Sequence, residues 1–129
     1  MSSTRYIRIA TRFWSDEKIE ELSEQARYLY LYILTNQHTN MAGFYRLPAK
    51  YIQADLSWNI KQLNKPFQEL LSKGLVKQDL TRSIILIPNF LRYNKIQNPN
   101  QVKSVQKITE ELPDNDLFEE FVDCIKQYV

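Results

Sequence analysis

The fold turns on residues 56–75, "LSWNIKQLNKPFQELLSKGL". The apolar residues Ile60, Leu63, Phe67, Leu70 and Leu71 recur there at the spacing of one face of an α-helix. Asn59 is placed to cap the start, and Gly74 directly after Lys73 is a stop signal. Pro66 interrupts the pattern in its middle. A proline inside a helix removes one backbone hydrogen bond and crowds the preceding turn, at a cost of ~3 kcal/mol. Two arrangements satisfy the pattern. In one, a helix over residues 59–73 bends at Pro66, with the proline on the flank of the wheel and Ile60 and Leu63 in phase with Phe67 and Leu70. In the other, the helix begins near Asn64 and Pro66 occupies its first turn, where proline is tolerated. The preserved phase favours the bent helix.

The flanking segments supply the context. Residues 13–23, "FWSDEKIEELS", give a short turn of helix ending at Ser23, a good N-cap. Residues 24–36, "EQARYLYLYILTN", are helical and almost wholly apolar after Arg27, as in a central helix buried on most sides. Tyr28, Tyr30 and Tyr32 read as core and core edge. "FYRL" at 44–47 alternates like a strand, and Pro48 opens a helix that turns Ala49, Ile52 and Leu56 towards the core. After Gly74, residues 75–80 and 84–87 are β-prone runs around the polar turn "TRS", a hairpin. Helix, strand, helix, the short turn "SWN", helix and hairpin is the order of a winged helix-turn-helix. Beyond it, "NFLRYNKIQNPNQ" reads as irregular or one helical turn. Val102, Val105, Ile108 and Leu112 then mark a helix ended by Pro113, and Leu117, Phe118, Phe121, Val122, Ile125 and Val129 stripe a last one. The expected class is mainly α with a small β-wing: a winged helix-turn-helix over 1–93 and a C-terminal extension of two helices over 94–129.

Composition fits one compact domain with an appendage: 129 residues, 43% hydrophobic, two glycines. No apolar run approaches the ~18 residues of a membrane span. The first residues, "MSSTRYIRIATRFW", lack the continuous apolar core of a signal peptide. Cys124 is alone, so no internal disulfide is expected and a cytosolic location fits. The net charge is only +2, but it is unevenly spread. Residues 59–108 carry nine Lys/Arg against Glu69 and Asp79, whereas 110–123 carry seven acids and no base. A basic middle between acidic blocks suits a polyanion-binding face, although an ordinary solvated surface has the same composition.

Opposite the apolar arc of residues 59–73 lie Lys61, Gln62, Lys65, Gln68, Glu69 and Ser72. Lysines attract phosphates and glutamines pair with base edges, as on a helix set in a major groove. Glu69 argues against this, because it would face phosphate. Arg82 at the hairpin tip suits a backbone or minor-groove contact. The candidate DNA-binding set is Asn59, Lys61, Gln62, Lys65, Gln68 and Arg82, with Arg5, Arg8, Lys95, Lys103 and Lys107 extending it. His38 has no His, Cys or acidic partner at metal-ligand spacing. There is no phosphate loop, no zinc-protease motif and no nucleophile beside a base, so neither a cofactor, a metal nor an enzyme is expected. The last apolar stripe must pack on the domain or mediate self-association.

"RFWSDEKIEEL", "YLYLYILTNQHTNMAGFYRLP", "ELLSKGLVKQD" and "NFLRYNKIQNPNQVKSVQKITEELP" together resemble the N-terminal domain of phage replisome organisers. These are DnaD-like replication initiation proteins of phages and prophages of low-GC Gram-positive bacteria. The resemblance spans residues 5–113 and rests on Phe13-Trp14, 31–36 and 43–45 as a set. It implies a winged-helix module that binds double-stranded origin DNA, self-associates and works with a helicase loader or other replication proteins. In longer members a C-terminal domain recruits the loader; this chain ends at Val129, so helicase loading is not expected of it. Pro66 departs from the uninterrupted helix expected in relatives. A protein–protein module of the initiation complex and a winged-helix transcriptional regulator are the alternative readings.

Overall fold

The computed structural model describes residues 5–128; residues 1–4 and Val129, the last member of the C-terminal stripe, lie outside the described residues. A 3-10 turn (Thr11–Ser15) and α1 (Glu17–Glu20) lead into α2 (Glu24–Thr35), followed by β1 (Phe44–Arg46), α3 (Ala49–Leu56) and α4 (Ile60–Ser72). A hairpin of β2 (Lys77–Asp79) and β3 (Ile84–Leu86) precedes the single turn α5 (Phe90–Tyr93), then α6 (Pro99–Glu111) and α7 (Phe118–Tyr128). The protein is mainly helical with a small antiparallel sheet in the strand order β1-β3-β2.

Both ends of α4 are fixed by local chemistry. The Asn59 side chain accepts from the Gln62 N–H at 2.9 Å, and the Gln62 side chain accepts from the Asn59 N–H at 2.8 Å, a reciprocal capping box. At the other end Gly74 takes φ +70°, the Gly74 N–H donates to the Leu71 carbonyl, and the Leu75 N–H donates to that of Leu70. These two bonds satisfy carbonyls that the helix leaves open, and the left-handed residue between them favours glycine. The helix therefore starts at Ile60, not near Asn64, and runs through Pro66. The cap decides this, because it gives the first turn its missing partners.

The side-chain phase differs from expectation. Leu63, Pro66 and Leu70 are buried, whereas Ile60 is 48% exposed. At 100° per residue, Pro66 and Ile60 lie on opposite flanks of the Leu63–Leu70 line. The helix is rolled towards its Pro66 edge, the side on which it meets the start of α2. Pro66 thus belongs to the packed face rather than to its flank.

Other local rules account for the neighbouring elements. Ser23 caps α2 by accepting from the Ala26 N–H. Ala26, Leu29, Tyr30, Ile33 and Leu34 are buried, but Tyr28 is exposed, because α2 keeps one open side where Tyr28 meets the tilted ring of Trp58. Pro48 is the N-cap of α3, which leaves Ala49 exposed in the first turn while Ile52 is buried. Ser57 ends α3 at φ 57°, and both its N–H and that of Trp58 donate to the Gln53 carbonyl. Only residues 57–59 then separate α3 from α4.

The strands are shorter than their β-prone runs, because pairing ends where Asp79 turns the chain. Gln78 opposes Ile85 and Tyr45 opposes Ile85 from the other side, so β3 is the covered middle strand. The C-terminal extension closes on this sheet. Phe121 stacks on Phe44 at 4.6 Å, Glu120 pairs with Lys77 at 3.0 Å, and the Asp116 N–H donates to Asp79 at 3.0 Å. Leu117 and Phe121 are buried, Val122 and Ile125 are half-buried, and Phe118 stays 47% exposed. Most of the last stripe is therefore used within the chain.

Magnitudes decide the expected effect of Pro66→Ala. The substitution restores a hydrogen bond and removes a helix-interior penalty of up to ~3 kcal/mol. It also deletes about two buried methylenes, worth roughly 0.8 kcal/mol each. Urea unfolding should show a net gain of about 1 kcal/mol; a loss would mean that packing of the ring outweighs the missing bond.

Candidate nucleic-acid interface

The acid that argued against a DNA-facing helix is turned inward. Glu69 is half-buried and reaches Ser23, 46 residues away: one carboxylate oxygen accepts the Ser23 N–H at 2.9 Å, the other its hydroxyl at 2.6 Å. Burial alone would raise the Glu69 carboxyl. The bonds from Ser23 and the charges of Lys65 and Lys73 outweigh it and hold the group below its ordinary range. A negative charge at the first turn of α2 also meets the positive end of that helix. Placing Glu69 on the outer face was therefore incorrect, because the roll of α4 towards α2 carries it inside. Lys73 supports the same contact by pairing with Glu21.

What α4 leaves outside is Lys61, Gln62, Asn64, Lys65, Gln68 and Ser72. Among the described residues, neither Lys61 nor Lys65 is ion-paired. They line one shallow cleft with Trp58 and the start of α2. On the other edge Ile60, Asn64 and Gln68 line a groove closed by Gln78, Leu80 and Ser83 of the hairpin. One edge is cationic; the other carries amides and apolar carbons. Asn59 and Gln62 are exposed, but their side-chain oxygens are committed to the cap, so only their amide N–H groups face outward uncommitted.

Arg82 is exposed at the hairpin tip, beside Leu80, which is 78% exposed. The tip is held by Asp79, whose carboxylate accepts backbone N–H groups from Asp116 and Arg82 at 3.0 and 3.1 Å. Those two bonds keep the Asp79 carboxyl below its usual value. The shape presented by the hairpin thus depends on the C-terminal extension.

The remaining candidates lie elsewhere. Arg5, Arg8 and Lys95 line a cleft that shares no lining residue with either edge of α4. Arg5 donates to the Gln37 carbonyl, and the Arg8 backbone exchanges two hydrogen bonds with the Asn94 side chain. Lys103 and Lys107 are exposed on α6 and line neither cleft. The candidates thus lie in four places, α4, the hairpin tip, the cleft of Arg5, Arg8 and Lys95, and α6, rather than on one surface.

Local spacing also missed a cluster. Asp55 on α3 accepts from the Tyr32 hydroxyl at 2.5 Å and lies 3.2 Å from His38 Nε2, and the His38 ring packs tilted against Tyr51 at 4.7 Å. The Tyr32 bond holds the Asp55 carboxyl down despite partial desolvation. His38 therefore has an acidic partner, 17 residues downstream. The cluster ties α2, its following loop and α3 together. Among the described residues no group of three His, Cys, Asp or Glu is placed to hold a metal ion, and no helix is long and apolar enough to cross a membrane. Comparison with known proteins finds no matching family model, no matching curated protein and no matching solved structure.

Glu69 gives this region a pH signature. Its carboxyl is depressed in the folded chain, so its contribution is complete above the unfolded value, about 4.5, and is lost as pH falls through the lower folded value. Glu69→Gln should lower stability at neutral pH by about 1–2 kcal/mol, allowing for partial exposure. The deficit should shrink as acid melts approach pH 3. A constant deficit at all pH values would show that the charge is not what holds Ser23.

Proposed function

We propose that the protein is a winged helix-turn-helix that binds double-stranded DNA through α4 and its hairpin, in phage or prophage replication initiation. The observation that carries the duplex reading is the sorting of charge on α4: the one acid is drawn onto α2, and Lys61 and Lys65 are left outside with no ion pair among the described residues. An acid on the outer face would repel phosphate; its removal leaves a cationic edge that attracts it. The short turn between α3 and α4, and the hairpin after it, are the parts such a module uses. In this reading the exposed amides of Asn64 and Gln68 meet base edges in the major groove, and Arg82 meets backbone at the side. The replication role rests on the family resemblance of the sequence.

The test is a salt titration on duplex DNA. Lys61→Ala and Lys65→Ala should each weaken binding to specific and random duplexes alike. Each should lower the slope of log K against log salt by about 0.9. Unchanged affinity and slope, with circular dichroism showing an intact fold, would remove α4 from the interface.

A further inference from the structure

The basic cleft away from α4 has an exposed aromatic ring in its lining. Tyr6, 86% exposed, lines this cleft, and Trp14, 61% exposed, lines no cleft itself but stands edge-on to Phe13, which lines the neighbouring one. Residues 5–10 run without helix or strand, and Asn94 holds the Arg8 backbone through both its amide atoms. The cleft lined by Arg5, Arg8 and Lys95 neighbours one lined by Arg8, Arg12 and Arg92, and Arg8, Phe90 and Asn94 border both. Among the described residues none of these five cations is ion-paired. Asp16 is the sole acid in either lining, and its carboxylate is engaged by the Lys18 N–H at the start of α1.

We infer that this track is a binding site for a single strand of nucleic acid, with Tyr6 and Trp14 as its stacking surfaces. Unpaired cations following one chain segment neutralise a phosphate backbone, and exposed rings accept the faces of unstacked bases. A duplex keeps its bases stacked on one another and has no use for such rings. Trp14 is braced edge-on by Phe13 at 4.9 Å, and Phe13 in turn stacks on the buried Tyr30, so the indole stands on a firm base. Three of the amides around the cleft are bonded to backbone, Asn94 to Arg8, Asn40 to Ala42 and Phe44, and Gln101 to Gln97, while the Gln97 side chain is exposed. The site shares no residue with the duplex face of α4 and does not rest on that reading, so either can fail alone.

The test uses fluorescence anisotropy of the full chain on an oligothymidylate of about 20 nucleotides, longer than the ~4–16 that such sites occupy. Tyr6→Ala and Trp14→Ala should each weaken binding about fivefold or more, whereas Tyr6→Phe, which keeps the ring, should retain it. Arg8→Ala should lower the salt slope by about 0.7. The Lys61→Ala, Lys65→Ala double variant should bind the oligonucleotide like the parent. An oligouridylate of equal length distinguishes ribose from deoxyribose strands, and binding of either supports the site. Unchanged affinity in both alanine variants overturns the inference, as does an equal loss in the Lys61, Lys65 variant. Dissociation of a dimer by Tyr6→Ala, with oligonucleotide affinity unaltered, also overturns it and assigns the rings to a protein interface.

Discussion

The contact on which the arrangement depends is the carboxylate of Glu69 on Ser23. Ser23 already caps α2 through its hydroxyl oxygen, and Glu69 binds both the hydroxyl hydrogen and the backbone N–H of the same residue. One acid therefore ties the middle of α4 to the first turn of α2 across 46 positions of sequence. That tie holds α4 in the roll that buries Leu63, Pro66 and Leu70. In that roll Lys61, Lys65 and Gln68 are outside. The same contact withdraws the acidic side chain that would otherwise sit among the cations.

Pro66 is explained by the same geometry. A helix capped at Asn59 and closed by Gly74 loses one hydrogen bond to the proline and gains a compact ring on its packed side, against the start of α2. The hairpin has its own support. Asp79 joins the tip to the loop before α7, and Phe121 covers Phe44 on the sheet, so the C-terminal segment braces the element that would flank a duplex.

Much of this was legible in the sequence because it follows local rules. Capping by Asn59 and Ser23, the stop at Gly74, the turn at 57–59 and the hairpin are each written within a few residues. What was not legible depends on partners far away in sequence. The wheel placed Glu69 outside because periodicity gives a stripe but not the direction in which a neighbouring helix rolls it. Ile60 and Pro66 exchanged places for the same reason. His38 looked unpartnered because Asp55 approaches it only through the packing of α3. The candidate cations appeared as one set because charge counts carry no geometry; the fold divides them between α4, the hairpin tip, the N-terminal cleft and α6.

The most direct test of the central claim, that the sorted face of α4 meets a duplex, is a lysine-reactivity footprint. The full chain is acetylated with and without saturating duplex DNA, and the modified lysines are quantified by mass spectrometry. Lys61 and Lys65 should be shielded by the duplex, while Lys126, exposed on α7, should react at an unchanged rate. Equal reactivity of Lys61 and Lys65 in the free and bound states would contradict the account.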